Sequence, residues 1–220
     1  MFAITADQVD SRHRPDLAAS TMRALELELA NGLVLPIDRT AGDEIQLLLA
    51  TGETALTAVL SLTRGGQWSV GCGIGAVALP LPANVREAGG GAFIAAREAV
   101  NEAKRRETRF ALRSMAPGAE TGTATGTARK SETGGAIAAG TEAADAEAFI
   151  DLLLQLRTRR SAPGWQMSDL LRAGKSQAEA AKVLGISPQA ASKRAAAAGL
   201  RIEFASIAPL ARRLDAVDRC

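Results

Sequence analysis

Short apolar segments alternate with helical stripes along the first half of the chain. The segments FAITA, LVLPI, IQLLLA and WSVGCGIGAV are apolar and bounded by turn residues, so they predict strands. Apolar residues spaced by three or four predict the helices between them: Ala18, Met22, Leu25 and Leu29; Ala55, Val59 and Leu62; and Phe93, Ala96, Val100 and Ala103. A last strand is predicted at residues 108–112. The order is βαββαβ followed by αβ, which indicates an α+β domain.

The second half has helical patterns throughout. A first helix over residues 146–160 carries an apolar stripe formed by Phe149, Leu152, Leu153 and Leu156. Further helices are predicted over WQMSDLLRAG, over SQAEAAKVLG, after Ser187-Pro188 and after Leu200. The segment before them, residues 114–142, has Gly, Ala, Thr or Ser at 21 of its 29 positions and predicts a flexible linker. The sequence therefore predicts domains at residues 1–113 and 143–220, the second one all-α.

Composition excludes several classes of protein. Apolar residues make up 47% of the 220 positions and charged residues 23%, which excludes wholesale disorder. A single histidine, His13, excludes a site with several His ligands, and Cys72 and Cys220 make no disulfide framework. Aromatic residues at 3% exclude a platform of stacked bases. The first residues, MFAITADQVD, lack the basic segment and longer apolar run of a signal peptide, and no apolar run approaches about 20 residues. We therefore expect a cytoplasmic protein without a membrane partner.

Positive charge is concentrated near the C-terminus. Residues 1–113 carry 12 basic and 13 acidic residues, whereas residues 143–220 carry 12 basic and 8 acidic residues. Between Arg157 and Arg201 there are nine basic residues and two acidic ones, a net charge of +7. Such a cluster favours a polyanionic partner.

Residues 176–192 have the capping and turn residues of two helices joined by a tight turn. Ser176 and Glu179 have capping-box spacing, Gly185 suits a left-handed turn, and Ser187-Pro188 begins the next helix. This stretch resembles the helix-turn-helix of DNA-binding regulators and of sigma-factor region 4, with matching residues at Gln177, Ala181, Gly185, Ile186, Ala191 and Ser192. A generic helical hairpin would share the small residues and the glycine, but would not need the basic charge.

The resemblance implies double-stranded DNA as a partner. In such motifs the start of the second helix enters the major groove, which assigns Gln189, Ser192 and Lys193 to the base edges. Ser187 at the helix N-terminus suits a phosphate. Lys175, Arg194 and Arg201 are assigned to phosphates as well. For each basic residue alone, a solvated surface charge is the competing interpretation.

Two acidic residues in the first domain stand at characteristic places relative to the predicted strands. Asp7 ends the first strand and Gly42-Asp43 lies in the central hairpin. With the βαββαβ order, this resembles the ferredoxin-like palm domain of class III nucleotide cyclases and diguanylate cyclases. The strings ADQVDSR, AGDEIQ and VGCGIG are similar to the N-terminal part of SatD-family proteins.

The resemblance implies a metal and nucleotide site. Asp7 and Asp43 stand where cyclases bind Mg²⁺ with a nucleotide, and Arg97 stands at the arginine that contacts the nucleotide. The structural alternative is that Asp43 shapes the turn and Asp7 caps a loop. Phe93 occupies the place of the asparagine that orients the ribose, so the pattern disfavours catalysis.

Three functions are compatible with these patterns. The favoured hypothesis is a DNA-binding transcriptional regulator whose palm-like domain senses a ligand or mediates formation of a homodimer. The alternative is a metal-dependent nucleotidyl cyclase or related phosphotransferase tethered to DNA. A structural interaction protein would need neither the carboxylates nor the basic helix.

Overall fold

A computed structural model describes residues 1–40, 42–115 and 133–219. Within these ranges the chain forms five strands and eight α-helices. The strands are β1 (Phe2–Gln8), β2 (Asp38–Arg39), β3 (Glu44–Leu49), β4 (Trp68–Ile74) and β5 (Phe110–Ser114). The helices are α1 (Ala18–Glu28), α2 (Gly52–Thr63), α3 (Gly91–Ala103), α4 (Thr133–Thr158), α5 (Ala162–Arg172), α6 (Gln177–Val183), α7 (Pro188–Ala197) and α8 (Leu200–Asp218). The structure is mixed α+β, as the sequence predicts.

The five strands form one sheet in the order β2-β3-β1-β4-β5. Strand β1 lies at the centre and pairs antiparallel with both β3 and β4, while β5 is parallel to β4. The register places Asp7 opposite Glu44 on one side and opposite Ser69 on the other. Successive side chains of β1 point to opposite faces of the sheet, and different helices cover these two faces.

The predicted strand LVLPI is wrong. In this segment Leu33 makes only an isolated bridge to Leu49, and the amide of Val34 donates to the carbonyl of Leu48 over 2.9 Å. Pro36 has no N–H to give to a ladder, so the pairing stops before it. The edge strand β2 forms two residues later, at Asp38 and Arg39.

The two faces of the sheet bury different kinds of side chains. Helices α1, α2, α4 and α8 cover one face over a large core that includes Phe2, Ile4, Leu47, Leu56, Val70, Phe110, Ile150 and Leu214. Helix α3 covers the other face and lies directly on β4 at Gly71 and Gly73. Only hydrogen at these two positions lets the helix backbone come so close to the strand.

Helices from both sides of the predicted linker share this core. The sequence places the boundary of the second domain at residue 143, yet Ala143, Ala146 and Ile150 pack in the same cluster as the strands. Of the predicted linker, Ser114 ends β5, residues 133–142 belong to α4, and residues 116–132 lie outside the described residues. The start of the second domain is thus part of the layer that covers the sheet.

Helix α4 buries only the part of its predicted stripe that includes Leu153 and, partly, Leu156. Ile150, Leu153 and Leu154 are buried, whereas Phe149 and Leu152 are exposed. The buried side also carries acidic groups: Glu147 accepts the amide of Leu112 over 2.7 Å and pairs with Arg106 at 2.8 Å. These polar contacts to β5 and to the connection between α3 and β5 fix which side of α4 faces the sheet. In the part of the chain that the structure describes, no helix has the length and hydrophobicity to cross a membrane.

Candidate functional site

Helix α6 begins at a complete capping box. The hydroxyl of Ser176 accepts the amide of Glu179 over 3.2 Å, and the Glu179 carboxylate accepts the amide of Ser176 over 2.8 Å. The hydrogen bond from the Ser176 amide to the carboxylate lowers the pKa of Glu179 below its usual value. The capping residues identified in the sequence thus define where α6 starts.

The connection between α6 and α7 is a tight turn. Gly185 has a φ of 65°, the left-handed conformation that glycine adopts without steric cost. The amide of Ile186 donates to the carbonyl of Ala181 over 3.0 Å, which closes the end of α6. Ser187 then caps α7 by accepting the amide of Ala190 over 3.2 Å, and Pro188 occupies the first turn.

Small buried residues hold the two helices together. Ala181, Ala191 and Ala195 are all less than 5% exposed and pack on Met167 of α5 and Leu200 of α8. Because their side chains are single methyl groups, α6 and α7 approach closely and one side of α7 stays outside the cluster.

The residues assigned to DNA bases lie on that outer side of α7. Gln189, Ser192 and Lys193 are exposed, and within the described residues none of their side chains has a hydrogen-bond or ion-pair partner. The phosphate assignments surround them: Lys175 and Ser187 are exposed before the two helices, Arg194 is half-buried in α7, and Arg201 is exposed at the start of α8. Six of the seven assigned residues are thus exposed, and they lie on or beside α6, α7 and the start of α8.

Part of the basic cluster counted in the sequence is internal. Arg157, Arg160 and Arg172 converge on the carboxylate of Glu203, which is completely buried. The Arg172 contact measures 2.6 Å. Arg157 also donates to the carbonyl of Leu60 over 2.8 Å. Three of the nine basic residues between Arg157 and Arg201 thus neutralise one acid, and the exposed charge is smaller than the sequence count suggests.

A tryptophan extends this buried cluster toward the sheet. The guanidinium groups of Arg157 and Arg160 lie 4.9 and 4.5 Å from the ring centre of Trp165, and Arg64 of the α2–β4 connection lies at 4.5 Å. Arg64 also pairs with Asp169 of α5 at 2.8 Å. Cation–π and ionic contacts therefore hold α5, the helix before α6, against the sheet domain.

Sequence reasoning missed Glu203 and Trp165. The signal for Glu203 is its place in the stripe of α8: Leu200, Glu203, Ile207, Leu210 and Leu214 follow one another at spacings of three or four. An acid within an apolar stripe needs buried cations as partners. Nothing in the local sequence identifies which arginines those are.

The acidic residues predicted to bind metal lie near the end of the central strand β1 and just before β3. The carboxylate of Asp7 pairs with Lys104 at 2.8 Å, and its neighbour across the sheet is Glu44, which pairs with Arg97 at 3.2 Å. Asp43 precedes β3, where its carbonyl accepts the amide of Gln8 over 3.2 Å. Among the described residues, no group of three His, Cys, Asp or Glu side chains could hold a metal ion. The metal assignment of Asp7 and Asp43 stays a prediction.

A groove of about 880 Å³ lies near these strand ends, where Arg97 pairs with Glu44. Its wall carries Arg39, Arg86 and Arg97, and Phe93 and Ile94 of α3 contribute apolar surface. Arg39 pairs with Asp16 at 2.6 Å and Arg86 with Asp38 at 3.3 Å, so the guanidinium groups are oriented before any ligand arrives. Arginines beside an apolar surface suit a ligand with an anionic group and a flat apolar part.

No protein-family model, curated protein or solved structure matches this chain.

Proposed function

We propose that this protein is a DNA-binding transcriptional regulator in which α6 and α7 form a helix-turn-helix. The observation that carries the proposal is the exposed start of α7, where Gln189, Ser192 and Lys193 project without protein partners among the described residues. The caps at Ser176 and Ser187 and the turn at Gly185 hold α7, which carries these side chains, in a fixed position relative to α6. A rigid helix with a free polar N-terminal side is the element that reads base edges in the major groove.

Each side chain has a distinct task in this proposal. The amide of Gln189 makes two hydrogen bonds to adenine, and Lys193 donates to the acceptors of guanine. Ser187 and the first amides of α7 bind a phosphate, because a helix N-terminus attracts negative charge. Lys175, Arg194 and Arg201 bind further phosphates and add affinity that does not depend on sequence.

Single substitutions should separate base contacts from phosphate contacts. We expect Gln189→Ala and Lys193→Ala each to relax base preference at one position, with a loss of about 1–3 kcal/mol on the selected site. Arg201→Ala should weaken binding to all sequences alike and reduce the salt dependence. Binding-site selection followed by titration at several salt concentrations measures both effects.

The full chain is the material for this test, because α4 and α8 contribute to the core of the sheet domain. Arg23→Ala is the matched control, since Arg23 is an exposed arginine on α1. Its affinity for DNA should equal that of the unaltered protein. Binding that is insensitive to salt, or a selected motif that both base-contact variants retain, would contradict the proposed docking.

In the same proposal the N-terminal domain is palm-like and senses a nucleotide. The antiparallel order β2-β3-β1-β4, with α1 and α2 on one face, supports a ferredoxin-like arrangement. The groove supports the ligand assignment, because Arg97, which the cyclase resemblance assigns to the nucleotide, lies in its wall near Phe93. Phe93 is largely buried and offers no hydrogen bond to a ribose, which favours sensing over catalysis.

A nucleotide should stabilise the folded protein through the groove. ATP or GTP at about ten times its Kd is expected to raise the Tm by about 3–6 °C, and Arg97→Ala should remove most of that rise. Melting with and without Mg²⁺ measures it, with Arg23→Ala as the control. A rise that requires Mg²⁺ and is lost in both Asp7→Asn and Asp43→Asn would instead support the metal assignment. A melt unmoved by any nucleotide would contradict the ligand assignment.

A further inference from the structure

Helix α4 has an apolar stripe that is exposed to solvent at Phe149 and Leu152 and partly buried at Leu156, which also packs against the core of the sheet. Asp145, Phe149, Leu152, Leu156 and Arg159 follow one another at alternating spacings of four and three, the pattern of a helix seam that packs on another helix. Phe149 is 54% exposed and Leu152 is 68% exposed. Large apolar side chains so exposed along one line mark an interaction surface.

The stripe forms one wall of an apolar groove of about 690 Å³. Helix α8 provides the other wall with Ile202, Ser206, Pro209 and Arg213. Ile202 is 64% exposed, so both walls contribute apolar surface to the opening. Because residues of two neighbouring helices line it, the groove can receive the apolar ridge of another helix.

The two ends of the stripe carry opposite charges. At one end the Asp145 side chain is 55% exposed and pairs with Arg213 at 3.0 Å, which leaves carboxylate surface accessible. At the other end Arg159 is exposed and has no ion-pair partner within the described residues. Leu152 lies midway, seven residues from each. When a second copy of the stripe lies antiparallel to the first, Arg159 of each copy lies opposite Asp145 of the other. The stripe is therefore complementary to itself.

We propose that a second copy of this chain occupies the groove, with the two α4 helices antiparallel about a two-fold axis at Leu152. A two-fold interface requires a self-complementary surface, and the sequence of acid, three apolar residues and base provides one. Asp145 of each copy faces Arg159 of the other at the rim. Phe149, Leu152 and Leu156 form the apolar centre, with Ile202 beside them.

The interface is tested on the full chain without DNA, so the result is independent of the proposed DNA binding. Analytical ultracentrifugation over a range of concentrations should show a species of twice the 22.8 kDa chain mass. Leu152→Glu places two carboxylates together on the axis and should weaken the dimer about 100-fold or more. Leu27→Glu is the matched control, because Leu27 is 85% exposed on α1, and it should leave the dimer unchanged.

A charge exchange tests the antiparallel register. Asp145→Arg should weaken the dimer about tenfold, because the new arginine of each copy would lie opposite Arg159 of the other copy. The double variant Asp145→Arg with Arg159→Asp should restore most of the affinity between the two copies. If Leu152→Glu fails to fold, this comparison still tests the proposed interface. A protein that stays monomeric at all concentrations would overturn the proposal and leave the groove to a different partner. A dimer that survives Leu152→Glu, or no recovery in the double variant, would overturn it as well.

Discussion

Replacing Glu203 by Ala is expected to lower the free energy of unfolding by about 3–5 kcal/mol. The carboxylate is completely buried and is the shared partner of Arg157, Arg160 and Arg172. Without it, three guanidinium groups repel one another, and two of them have little access to water. Chemical denaturation measures the loss, with Glu98→Ala on the exposed side of α3 as the control.

The same carboxylate makes the stability depend on pH. Burial alone raises the pKa of Glu203, but the neighbouring arginines outweigh it, so the pKa is lower in the folded protein than its usual value of 4.5. The unfolded chain therefore takes up the proton first as the pH falls. The stabilisation from Glu203 is complete above about pH 4.5 and declines as the pH drops through the folded-state pKa. Glu203→Gln should remove this part of the acid sensitivity, and a loss below about 1 kcal/mol in Glu203→Ala would contradict the assigned role.

Replacing Gly73 by Val should cost about 3 kcal/mol or more. A Cβ atom at this position would overlap the carbonyl oxygen of Ala92 and the amide nitrogen of Ala96. Both are backbone atoms of α3, so the overlap is relieved only by moving the helix away from β4. Such a shift opens the small core formed by Ala92, Phe93 and Ala96 against the sheet.

Gly89→Ala is the matched control for Gly73. A Cβ atom there has no neighbour within 4 Å, and its backbone does not have a positive φ. Its free energy of unfolding should stay within about 1 kcal/mol of the original value. Thermal and urea melts of the two variants are compared directly, and a Gly73→Val protein as stable as Gly89→Ala would show that α3 does not pack closely on β4.

The contacts around Glu203 connect the proposed DNA-binding helices to the sheet. Arg157 reaches the carbonyl of Leu60 in α2, and Arg64 holds Asp169 and the ring of Trp165 in α5. Helix α5 in turn packs on α6 and α7 through Met167. The orientation of α7 is therefore set by the sheet domain as well as by its own turn.

Local chemistry determined the elements that the sequence predicts well. Ser176, Glu179, Gly185 and Ser187 each act on backbone groups within a few residues, so the bounds of α6 and α7 follow from their spacing. The apolar segments of β1, β3 and β4 are equally local, because a strand buried on both faces needs apolar residues at nearly every position. The mixed α+β class follows from the order of these patterns.

Only the tertiary structure decided which charges and which apolar faces are covered. Counting charges placed Arg157, Arg160 and Arg172 in a basic surface, whereas Glu203 neutralises them in the interior. Periodicity found apolar residues on α4 but could not distinguish the buried Ile150 from the exposed Leu152, because both positions fit a helical stripe. In each case the contacting residues come from a distant part of the chain. The local pattern of residues does not show which distant segments come together in the fold.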